Sequence, residues 1–326
     1  MSKHLLATMV ALALGAAACG KSKSSSDGAA GSGGSDGSVA TEGGGGAGPK
    51  KIDISGVAAP HPLVAMLDPT ASFIMLTVAV VDPVAQLGSA TAPPLASMPL
   101  NTSASNCGPA PTDGGGGDAA AGDAGAAAPA GCAWSLSMVD ITSISIGLVA
   151  TLIDMRTSNP VWVLTGTGAG SMSTIDAHKA SLAPLTNVRA FAISKGTETA
   201  LAAFVGPVLS IPSPFTGAEL EARGYMIGHV VGKVAQGAPP IAGATVAPGG
   251  TAQIDVIYPN ADFSGVGNST APHGIFLAIP RVMGTPQSVV TSWTITPPAG
   301  ETRTWPMYTA GTNPNNAFVI LMVAND

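Results

Sequence analysis

Charge is scarce in this chain: only 10% of its 326 residues are Asp, Glu, Lys or Arg. The 13 Lys and Arg are scattered, and 19 Asp and Glu leave a net charge of −6. Without a basic stripe there is no electrostatic footprint for a nucleic-acid backbone, so nucleic-acid binding is excluded as a function class. Long apolar runs are missing as well. Mean hydropathy is +0.38, yet the apolar stretches at 73–81 and 144–153 fall short of the roughly 18 residues a spanning helix needs. A polytopic helical membrane protein is therefore not expected. Histidines are few, and His61, His178, His229 and His273 show no HxH, HExxH or Cys/His spacing, the patterns that hold zinc. Each is expected at a surface or turn, with no metal and no cofactor. A G-x-S-x-G nucleophile elbow is also lacking, and no catalytic residues are expected.

What is present begins with the first 19 residues. A short basic start, Met1-Ser-Lys-His4, precedes the apolar stretch 5–14 and the small residues Gly15-Ala-Ala-Ala18 before Cys19. This is the pattern of an export signal over 1–18. A cysteine directly after small residues resembles a bacterial lipoprotein signal, although Ala16 stands where that family usually has Leu. The resemblance implies lipid attachment at Cys19; cleavage after Ala18 without lipidation is the alternative. Gly20 is not the Asp that favours inner-membrane retention in some bacteria, so the expected location is the outer membrane, on its periplasmic or surface face.

Residues 20–49 are Gly, Ser, Ala, Asp and Lys with almost nothing apolar. Such a segment cannot offset the entropy of ordering and reads as a disordered tether. A second low-complexity stretch, 108–131, lies between Cys107 and Cys132 and reads as a disordered insertion. Asp113, Asp118 and Asp123 recur there every five residues, a spacing that matches no calcium loop. With Cys19 lipidated, Cys107 and Cys132 remain as an even pair in an oxidising compartment, and a disulfide closing the insertion at its base is expected. Nineteen of the 42 glycines lie in the tether and insertion, so the glycine excess belongs to these two segments.

The remainder reads as β throughout. Strands are expected at 73–81, at 134–139, along the alternating run 140–146, at 161–165 and at 318–323. Helical signals are short: 175–182, 197–205 and 216–223. Thr165-Gly-Thr-Gly-Ala-Gly-Ser171 has the G-x-G start of a dinucleotide turn but Ser171 at its sixth position. No alternating β and α pattern surrounds it, so a hairpin or flexible loop is expected.

The last third carries a family resemblance. It contains Ile227-Gly-His-Val-Val-Gly-Lys-Val, then Pro240-Ile-Ala-Gly243-Ala244-Thr-Val246, then Thr270-Ala-Pro-His-Gly274-Ile-Phe276. Pro240 pre-sets a turn, Gly243 supplies a permissive backbone, and Ala244 and Val246 point to one face. Gly274 relieves a bend before Phe276, whose ring is expected in a core. Over 224–326 this resembles the carboxypeptidase regulatory-like domain, which implies a prealbumin-like β-sandwich, an accessory role and no catalysis. The resemblance also implies kinship with carbohydrate-binding sandwiches. Trp293, Trp305 and Tyr308, in a stretch longer than the family needs, are then the candidate ligand-binding residues, either stacking on sugar rings or packing internally.

The expected protein is thus all-β, with two β-sandwich domains at 50–223 and 224–326 behind a lipidated, disordered tether. Its expected partners are the membrane through the anchor and a polysaccharide or envelope protein.

Overall fold

The computed structural model describes residues 48–88, 92–102, 107–108, 131–233, 238–250, 252–281 and 286–325. The expected signal, Cys19, nearly all of the tether and residues 109–130 of the insertion lie outside these. All described residues belong to one unit, Ala47–Asp326.

β1 (Lys51–Pro60) starts with an alternation that buries Ile52 and Ile54 and exposes Lys51 and Asp53. Two prolines flank its end, and α1 (Pro62–Leu67) opens with Pro at its first turn, where a fixed φ suits a helix start. There follow β2 (Leu76–Val81), α2 (Pro83–Gly88), β3 (Ala96–Pro99), β4 (Cys107–Gly108), β5 (Gly131–Asp140), β6 (Gly147–Asp154) and β7 (Thr165–Ser171). α3 (Met172–Ser181), β8 (Leu185–Ala192), α4 (Lys195–Val208) and α5 (Gly217–Arg223) come next. The last third holds β9 (Tyr225–Val231), β10 (Thr245–Pro248), β11 (Ile254–Pro259), β12 (Val266–Gly267), β13 (Ile275–Pro280), β14 (Val289–Thr296), β15 (Tyr308–Thr312) and β16 (Ala317–Val323). α3, α4 and α5 fall on the three stretches with helical signals. Each begins at a hydroxyl cap, Ser171, Ser194 or Thr216, which accepts a backbone N–H three residues on and so satisfies a donor the helix start leaves free. At 14 residues α4 is longer than expected.

The strands form three sheets, ordered β4-β5-β1-β8, β10-β14-β15 and β12-β11-β13-β9-β16-β7-β6-β2-β3. The chain is β-rich with large sheets, consistent with the all-β expectation. β1 pairs antiparallel with β5 but parallel with β8, and β16 is parallel to both β7 and β9. The central strands of the large sheet are buried on both faces. In β13, Ile275, Leu277 and Ile279 enter a core shared with α4 and α5, while Phe276 and Ala278 enter a core against β10, β14 and β15. That is why Ile-Phe-Leu-Ala-Ile is a continuous apolar run rather than an alternating one.

Three expectations need correction. The sheets do not follow the division between 223 and 224: strands from both sides of it share the nine-stranded sheet, joined by β16 between β7 and β9. Of the run 140–146 only Asp140, the end of β5, is strand, and 141–146 form a turn; Ile141 and Ile144 are both buried, and the Ile144 amide bonds the Ile141 carbonyl. Of the strand expected at 161–165, Trp162 makes a single bridge and Thr165 begins β7; the glycine-rich segment is β7 itself, paired antiparallel with the preceding β6 as the second arm of a hairpin. Glycine is required there by packing: a Cβ on Gly166 would lie 2.9 Å from Val149 and 3.3 Å from the Phe318 ring.

The turns quoted for the family resemblance behave as their residue types demand. Gly243 has φ +78° and Gly274 φ +68°, a region costly for any residue with a Cβ. Ala244, Val246 and Phe276 are buried together. The long stretch after β13 is a hairpin, since β14 pairs with β15 from Val289↔Thr312 to Trp293↔Tyr308.

Candidate functional site

Cys107 and Cys132 face each other as register partners in β4 and β5 and are disulfide-bonded. The bridge closes the insertion at its base, as the cysteine count implied.

The three aromatic candidates are drawn inward. Trp293 is fully buried in β14, packs on Phe276 with ring centroids 5.9 Å apart and donates its indole N–H to the Ala310 carbonyl at 3.1 Å. It is a core residue, which corrects its reading as a ligand contact. Trp305 is half-buried; its indole N–H reaches the carbonyls of Val231 and Met322, each at 3.0 Å. The Tyr308 hydroxyl donates to the Val323 carbonyl at 2.5 Å. Both side chains spend their polar atoms pinning the β14–β15 hairpin onto β9 and β16, and the structure does not gather the three into an exposed stacking face.

Two buried polar clusters occur where composition gave no sign of them. In the first, His61 and His229 are buried with their Nε2 atoms 2.5 Å apart; His61 lies at the turn between β1 and α1, whereas His229, expected at a surface or turn, lies inside strand β9. His61 caps α1: its Nδ1 accepts the Leu63 N–H at 3.2 Å, and its own amide donates to the Ala192 carbonyl. An Nδ1 that accepts carries no proton, so neutral His61 is protonated on Nε2 and donates to Nε2 of His229. His229 then holds its proton on Nδ1. Burial lowers the pKa of both, to about 3 for His229; positive charge on His229 acts in the same direction on His61, and positive charge on His273 does so on His229. The donor set is unsuited to a metal between the two rings: coordination through Nε2 of His61 would move its proton to Nδ1, against the Leu63 N–H. Among the described residues no group of three or more metal-ligating side chains occurs.

The second cluster joins α4, α5 and β9. Lys195 pairs with Glu198 at 3.3 Å and with Glu221. Glu198 is buried, and burial raises its pKa to about 7; Lys195 opposes the rise and Glu221 adds to it. The Tyr225 hydroxyl faces Glu198, and burial together with the carboxylates of Glu198 and Glu221 raises its pKa well above the ordinary value. Nearby, the Ser194 hydroxyl donates to Asp68 at 2.6 Å and ties the start of α4 to the end of α1. These groups form a network between elements, and none of them lines either of two shallow depressions on the described surface. The larger, about 420 Å³, is lined by the end of α4, Arg223, Asp255 and Arg281, and its Arg281 and Asp255 already pair with each other.

His178 and His273 remain local: the first bonds the Ala183 carbonyl after α3, the second the Asn260 carbonyl and the Ile275 amide. The aspartates at 113, 118 and 123 lie outside the described residues. In comparisons with known proteins, no family model matches the chain and no curated protein is significantly similar to it.

Proposed function

We propose that this chain is an exported lipoprotein of the cell envelope, anchored through Cys19 at the outer membrane, whose folded body is a non-catalytic structural or binding module. The observation that carries this reading is the disulfide between Cys107 and Cys132. It places two of the three cysteines in a bond typical of oxidising compartments and leaves Cys19, directly behind an apolar stretch and small residues, as the thiol open to lipid. The prealbumin-like reading of 224–326 draws support from its two facing layers, β10-β14-β15 against β11-β13-β9-β16, with Phe276 and Trp293 between them. The accessory role draws support from the buried polar clusters, whose side chains are turned to one another rather than to a cleft. Metabolic labelling with a fatty acid tests the anchor: the wild-type chain is expected to take label and sediment with membranes, and Cys19→Ser to do neither. Label retained by Cys19→Ser would overturn the assignment.

A further inference from the structure

His61 and His229, 168 residues apart in sequence, join the corner between β1 and α1 to the middle of the large sheet. His229 lies in β9 with Ile275 of β13 and Leu321 of β16 as its register neighbours. In the neutral pair two protons suffice, one on Nε2 of His61 and one on Nδ1 of His229. A third proton finds no place that keeps both contacts. On Nδ1 of His61 it would confront the Leu63 N–H; on Nε2 of His229 it would confront the His61 proton, unless that proton moved to Nδ1 and again faced Leu63.

We propose that the His61–His229 contact is an acid-operated clasp: neutral, it holds the start of α1 against β9, and uptake of one proton opens either the contact between the rings or the cap of α1. Among the described residues the surroundings offer no counter-charge. From β8 comes Phe191, edge-on to His61 at 5.3 Å. From the turn before β13 comes His273, which adds positive charge when protonated and has both ring nitrogens engaged elsewhere. Lys195 and Glu198 of α4 are turned to each other and to Glu221, and Asp68 at the far end of α1 is held by Ser194. The register neighbours on β13 and β16 are aliphatic. An imidazolium here is therefore both desolvated and unpaired, which favours opening over retention of a charged pair.

Two measurements on the full chain test this. Histidine side-chain NMR near neutral pH is expected to show His61 protonated on Nε2 and His229 on Nδ1; the opposite tautomer at His61 would overturn the proposal. Hydrogen exchange, corrected for intrinsic rates, is then followed from about pH 7 to about pH 4, across and below the ordinary histidine range. Protection of the α1 amides is expected to fall at least tenfold while that of β13 and β16 holds. In His61→Asn, which keeps a capping oxygen and cannot titrate, the fall is expected to vanish. Protection of α1 that is constant across the range, or an equal fall in His61→Asn, would overturn the clasp. Should His61→Asn not fold, the tautomer assignment and the wild-type profile still decide it.

Discussion

The ring of Phe276 lies directly over the Cα of Gly228: a Cβ at that glycine would sit 2.1 Å from two of the ring carbons. β9 and β13 are register partners at these two residues, so the absent side chain of one is the space for the other. Gly228→Ala is expected to force the ring from its site and cost about 1–3 kcal/mol or more, as overpacking of a filled core does. In urea denaturation, Gly228→Ala combined with Phe276→Leu should cost less than the sum of the single changes. Additive costs would show that the two positions are not coupled.

Trp293 fills the core on the other side of the same ring. Trp293→Ala is expected to destabilise by about 3–5 kcal/mol, the usual range for emptying a large aromatic site, with the Ala310 carbonyl losing its donor as well. A denaturation midpoint shifted by much less would mean that the indole is not packed as described.

Reduction of the Cys107–Cys132 bond frees a loop with a sequence separation of 25. The chain-entropy relation gives about 3–4 kcal/mol for a loop of this length. The Cys107→Ser and Cys132→Ser double variant is therefore expected to lower the urea midpoint by that equivalent, with β5 remaining paired to β1 in hydrogen exchange. Loss of protection along all of β5 would assign the bridge a larger role than closing the insertion.

Glu198 makes stability depend on pH in an unusual direction. Its folded pKa, about 7, stands above the ordinary 4.5, so between these values the folded state holds a proton that the unfolded chain releases. Its contribution is complete below about pH 4.5 and is lost as pH rises through 7, a swing of roughly 3 kcal/mol at most. Glu198→Gln keeps the shape without the charge, and its stability from about pH 5 to about pH 8 is expected to be flatter than wild type, with the variant the more stable of the two at the alkaline end. A parallel pair of stability curves would show that Glu198 is not the group responsible.

Local rules made the disulfide, the capped helices and the Gly274-to-Phe276 entry legible in the sequence, because each depends on residues a few positions apart or on a count of three. Along β14, Thr291 and Trp293 are buried and alternate with more exposed neighbours. What alternation does not reveal is which sheet covers that face, and so the indole read equally well as a surface group. β7 does not read as a strand because Gly or Ala, of low β-propensity, fill four of its seven positions; at Gly166 the smallness is demanded by Val149 and Phe318, which lie far off in sequence. Lys195 and Glu198 are three residues apart on α4, but the histidine pair and the approach of Tyr225 to Glu198 left no trace in spacing. Their partners are separated by up to 168 residues, and only the closure of the sheets brings them together.

Among the described residues β16 is the last strand in chain order, yet it occupies the middle of the nine-stranded sheet. Until it arrives, β9 with its neighbours and β7 with its neighbours are two separate edges, each offering unpaired backbone groups to solvent. The large sheet therefore cannot close while residues 317–323 are still being delivered, and assembly waits for the whole of the body to emerge.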